Sequence, residues 1–132
     1  MATLKPTLTL ASSDAFASNN ISMSQTVNLT VAAPMTDIST VLATATGSES
    51  IIVPSTTAIF YLYVKHTGTT DGSTSSTQLV SVETTANEEI ARLGAGEFMF
   101  IPFNHAAADV GIQLHVQHAS EVLMEYMYFT KG

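Results

Sequence analysis

The chain has 132 residues, only four of them Lys or Arg against eleven Asp or Glu, and it contains no cysteine. That length suits one domain with one core, while the missing cysteine excludes disulfide frameworks, thiolate metal sites and cysteine nucleophiles together. The four cations, Lys5, Lys65, Arg92 and Lys131, are scattered along a chain of net charge −7, so neither nucleic acid nor an anionic membrane finds a basic cluster to bind.

The first predicted element lies within residues 1–10, where Leu4, Leu8 and Leu10 share one parity and Thr7 and Thr9 the other. Such alternation marks a strand with one buried face. Pro6 lacks a backbone donor and places the segment at a sheet edge or makes it an N-terminal arm, with residues 11–132 as the β-domain. Ala15-Phe16-Ala17 resembles a signal-peptidase site, but Lys5, Pro6 and several Thr break the apolar stretch that must precede one, so no signal peptide is assigned.

Ile21, Met23, Val27, Leu29, Val31 and Ala33 continue one parity to Pro34, which reads as a single long strand. Residues 35–47 are expected to form a loop or one weak helical turn, since Ile38, Val41 and Leu42 fit helical spacing. Ile51–Val53 is a short strand stopped by Pro54. Ala58–His66 is a longer one, with Phe60, Leu62 and Val64 on one side and Ile59, Tyr61 and Tyr63 on the other. Apolar residues on both faces call for a central strand covered twice.

Residues 67–77 are Gly, Ser and Thr around Asp71-Gly72, the chemistry of an exposed hairpin tip. Beyond them come strands at 78–85, 89–93, 97–103, 111–119 and 122–130, with Gly94-Ala95-Gly96 as a turn. No stretch approaches about 18 consecutive apolar residues, which excludes a transmembrane helix. About eight or nine short strands with frequent turns predict an all-β fold, an antiparallel β-sandwich of jelly-roll type.

Candidate chemistry is sparse. His66, His105, His115 and His118, with Asp109, Glu121 and Glu125, raise the question of a metal, which needs three or four converging ligands. The alternation Ile112, Leu114, Val116 makes the His115-x-x-His118 segment a strand, where residues three apart face opposite ways. No metal site and no cofactor are therefore assigned. Gly-x-Ser-x-Gly is absent, so a serine nucleophile has no elbow to present it. Glu88, Glu89 and Glu97 read as turn charges rather than facing carboxylates, because neighbours on a strand diverge. No catalytic residues are assigned, and the protein is read as non-enzymatic.

Charged residues are only 11% of the chain, while Thr numbers 19 and Ser 14. A globular domain usually carries about a quarter charged residues. A neutral hydroxyl surface can be covered by a partner without burying charge; a loop-rich domain using Ser and Thr for solubility would share the composition. Phe98-Met99-Phe100-Ile101-Pro102-Phe103 and the C-terminal Met124, Tyr126, Met127, Tyr128 and Phe129 supply more apolar strand surface than one sheet contact covers. On that argument Leu4, Leu8 and Leu10 of the arm and Met124, Tyr126, Tyr128 and Phe129 of the last strand are the expected interface residues.

Three stretches, Phe60 to Gly72, Ala91 to Phe103 and Glu125 to Phe129, together resemble small all-β virion structural proteins of tailed bacteriophages. The resemblance spans about a third of the chain and is one of sequence style, with no residue-level motif to transfer. It implies a capsid decoration (cement) protein, a β-sandwich on the outer head surface that bridges subunits of the major capsid protein, often as a trimer. Tail, fibre or knob components of the same particle are the alternative within the virion. A carbohydrate-binding sandwich using Tyr61, Tyr63 or residues 67–77 is the alternative outside it.

Overall fold

The structure is a computed structural model and describes residues 1–13, 20–34, 37–45, 49–57, 59–105, 110–117 and 120–132. These form β1 (Ala2–Leu4), β2 (Thr7–Ala11), β3 (Ser22–Thr26), β4 (Leu29–Pro34), β5 (Ser39–Ala45), β6 (Ser50–Val53), β7 (Ile59–His66), β8 (Val80–Thr84), β9 (Glu89–Leu93), β10 (Phe98–Asn104), β11 (Ile112–Val116) and β12 (Val122–Lys131). The fold is all-β and sandwich-like, as the alternation requires. The twelve strands among the described residues exceed the expected eight or nine, because two segments read as continuous are each divided and residues 35–47 contribute β5.

The front layer centres on β12, which pairs antiparallel with β7 along one side and with β5 and then β4 along the other. β10 lies beyond β7, and β1 beyond β4. The back layer centres on β11, flanked by β8 and β9 on one side and by β6 on the other. β5 joins the layers: Ser39–Ala43 pair with β12, and Thr44 and Ala45 run parallel to His115 and Val116 of β11. This parallel pair corrects the purely antiparallel expectation.

Residues 37–45 also correct the reading of 35–47 as loop or helical turn. Burial alternates along β5 and ends on fully buried Ala43, so pairing with two central strands overrides a weak helical spacing.

The core lies between the layers. Phe60, Leu62 and Val64 of β7 and Val122 and Met124 of β12 meet Val80 and Val82 of β8 and Ile112, Leu114 and Val116 of β11, all fully buried. Phe60 stacks on Phe103 with ring centroids 4.7 Å apart and meets Tyr128 edge-on at 6.3 Å, geometries that add to area burial. Gly111 is required where β11 enters against the end of β6. A Cβ there would overlap the Val53 carbonyl oxygen and the backbone of Pro54 and Ser55.

His66 closes the inner row of β7 and anchors the tip at 67–77. Its Nε2 lies 2.8 Å from the Gln78 carbonyl, while Nδ1 accepts the Gly68 N–H at 2.9 Å, which places the ring hydrogen on Nε2. Gly68 and Gly72 take the left-handed φ that the turns demand. Asp71 accepts from the Ser73 and Thr74 amides and the Thr74 hydroxyl. The Thr74 and Ser73 amide bonds hold its carboxyl down to about 2. The exposed tip is thus tied internally.

Candidate interaction surface

The division near Pro6 shapes the surface. β1 pairs with β4 at the sheet margin, whereas β2 turns away and pairs with β3 in a separate two-stranded ribbon. The segment 21–33 divides correspondingly at Val27-Asn28, with Val27 N–H bonded to the Pro6 carbonyl at 3.3 Å. Every residue of β2 and β3 is exposed. Opposed residues share a face, so Leu8, Leu10 and Met23 form an apolar stripe with Gln25, extended by exposed Ile21, and Thr7, Thr9, Thr26 and Ser24 form the hydroxyl side.

The outer face of the front layer carries a second apolar area. Register places Phe98, Phe100 and Pro102 of β10 opposite Lys65, Tyr63 and Tyr61 of β7, and those opposite Glu125, Met127 and Phe129 of β12. The Tyr61 and Phe100 rings lie stacked at 6.1 Å, the Tyr63 and Phe98 rings are tilted to one another at 6.4 Å, and Lys131 Nζ stands 5.1 Å over Tyr61. Burial first, and then the Glu125 carboxylate, push the Tyr63 hydroxyl upward in pKa. Phe98 is 60% exposed, and none of the seven β10 residues is fully buried although six are apolar. Among the described residues β10 pairs only with β7. A groove of about 260 Å³ separates the root of the ribbon (Pro6, Thr7, Leu8) from the start of β10 (Phe98, Met99, Phe100).

The outer face of the back layer is polar and bonded to itself. Gln113 Nε2 donates to Glu83 Oε1 at 2.8 Å and to Asn87 Oδ1 at 3.0 Å, and His115 Nδ1 lies 3.8 Å from Glu83 Oε2. Ser81 donates to Glu89 at 2.7 Å and accepts from Gln117 at 2.9 Å, while Arg92 grips Glu89 through both carboxylate oxygens. The Ser81 hydroxyl, ahead of Arg92, lowers the Glu89 pKa. Arg92 and Gln117 border a depression of about 480 Å³ with Thr77, Gln78 and Leu79.

The expected interface residues fall in three places. Leu8 and Leu10 are 48% exposed on the ribbon, and Leu4 is half-buried opposite Leu29. Met124 and Tyr128 are buried on the core side of β12, with Tyr126 packed beside them. Phe129 shares the outer face but is only 9% exposed. Residues the strand argument omitted, Phe98, Phe100, Pro102, Met127 and Met23, supply the accessible apolar surface. The run Phe98–Phe103 was the available signal, but its outward phase depends on register with β7.

His118 and Asp109, considered as metal ligands, lie outside the described residues. Among the described residues no three His, Cys, Asp or Glu side chains gather as a metal site would need. Glu97 accepts the Gly94 N–H at 2.7 Å and closes its turn. Compared with known protein families, curated proteins and solved structures, the chain has no significant match.

Proposed function

We propose that this protein is a non-enzymatic structural subunit whose ribbon and front outer face bind other protein, most specifically a capsid decoration protein on the outside of a virion head. The observation that carries the reading is β10: Phe-Met-Phe-Ile-Pro-Phe-Asn at a sheet margin, with no residue fully buried. Met99, Ile101 and Phe103 pack on the core while Phe98 and Pro102 stay exposed, and an exposed apolar sheet margin recruits a covering surface. A protein that keeps one has a use for it. The acidic balance suits a site facing away from packaged nucleic acid, and the major capsid protein is the partner this reading implies.

The test is binding to undecorated shells by the full chain and by a chain lacking residues 1–10. The full chain is expected to bind at a fixed ratio and the shortened chain to stay in solution, folded. Equal binding by the two would refute the role of the arm, and no binding by either would refute the decoration reading. Copy number separates the head from the tail, since decoration demands many copies and a fibre or knob few. A sugar-binding reading draws on Tyr61 and Tyr63, which present half-exposed rings on one face. Glycan-array binding abolished by Tyr63→Ala would favour it.

A further inference from the structure

We propose that the front surface is also where copies of this chain meet, the ribbon of one copy lying over the outer face of β10 and β7 of a second. The inference rests on reading that face as an assembly surface and names its occupant.

Three observations point to a second copy. First, among the described residues the ribbon packs extensively on no other strand, and a lone two-stranded ribbon is marginal in water. Its stripe of Leu8, Leu10, Ile21 and Met23 therefore gains most from an apolar bed. Second, each copy holds both halves of such a contact, the protruding stripe and the groove between Pro6 to Leu8 and Phe98 to Phe100. The stripe is aliphatic and the bed aromatic, so the contact joins unlike surfaces. Third, charge selects the site. Two copies of a chain with net charge −7 repel one another, yet residues 6–13, 20–34 and 98–104 contain no charged side chain. Contact on these segments brings no like charges together, and the one cation on the β7 part of the bed, Lys65, sits opposite Glu125 of its own chain.

A ribbon on one copy and a bed on the next make a head-to-tail contact, which closes into a ring or continues as a filament. The absence of cysteine makes the contact directly testable. Chains carrying Leu10→Cys and Phe98→Cys, mixed under mild oxidation, should form a disulfide-linked heterodimer, while Leu10→Cys mixed with Arg92→Cys should not. Sedimentation equilibrium should show an oligomer for the natural chain and at least tenfold weaker association for Leu10→Asp and for Phe98→Ser, with the circular dichroism spectra of the dilute chains unchanged. A natural chain that stays monomeric at its highest soluble concentration, or an oligomer indifferent to both substitutions, would overturn the inference. Monomers that still coat shells would overturn this contact alone, and oligomers that ignore shells would overturn only the decoration reading.

Discussion

On the back layer, Glu83 meets Gln113, Gln113 meets Asn87, and Ser81 joins Glu89 to Gln117, so the polar groups on the outer face of β8 and β11 find partners within the chain. On the front layer, Phe100 and Phe98 meet the rings of Tyr61 and Tyr63, and Phe98 and Pro102 stay exposed. Both are outer faces of one small sandwich. Ser81, Glu83 and Gln113 are buried, with Glu89 and Arg92 as the exposed rim, so the difference is between polar groups partnered within the chain and apolar side chains left accessible. A hydrogen-bonded polar face is finished, and covering it costs desolvation, whereas covering an apolar face releases water at a gain.

Substitutions break or sharpen this contrast to different extents. The largest effect is expected in the core that supports both faces: Phe60→Ala removes a fully buried ring stacked on Phe103 and should cost about 4 kcal/mol by urea unfolding. Gly111→Ala should follow at about 3 kcal/mol, since the new methyl displaces the backbone of Val53 and Pro54. A stability within about 0.5 kcal/mol of the natural chain would mean that β6 and β11 are not so closely apposed. On the polar face, Gln113→Ala strips Glu83 of its amide donor and should cost about 1–3 kcal/mol. Phe98→Ser on the apolar face should change stability by no more than about 0.5 kcal/mol while weakening association. Were these two reversed, the contrast between the faces would be wrong.

The smallest effect is local and depends on pH. Asp71 has a folded-state value of about 2, below the ordinary 3.8, so its contribution is whole above the ordinary value and fades as pH falls toward 2. Protection of the Ser73 and Thr74 amides, relative to their intrinsic exchange rates at each pH, should fall through that window and in Asp71→Asn at neutral pH, with the β10 amides unaffected. Unchanged exchange in the variant would show that the glycine turns alone hold the tip.

Much of this arrangement is legible in the sequence. Alternation locates β7, where period-two burial survives, and apolar runs locate β10 and β12. Two features are not. The parity of Met23, Val27, Leu29 and Val31 runs unbroken across Val27-Asn28, yet Leu8 to Gln25 pairing draws β3 into the ribbon while β4 joins β12. Alternation records which side a residue faces and not which strand lies beside it. The last strand shows the second limit. With Met124, Tyr126 and Tyr128 on one side and Leu123, Met127 and Phe129 on the other, both phases are apolar, and only pairing with β7 and packing on Phe60 assign Met124 and Tyr128 to the core. The polar network was likewise hidden, since it joins Ser81 and Glu83 of β8 to Glu89 of β9 and to Gln113 of the distant β11 through two pairings.

The central claim is that other protein covers the front face and leaves the back face open. Hydroxyl-radical footprinting of the chain, free and then assembled on a shell, compares the two directly. The account predicts that Phe98, Phe100, Met127 and Met23 lose reactivity on assembly while His115 and Arg92 keep theirs. Protection of His115 and Arg92 with Phe98 still fully reactive would contradict it.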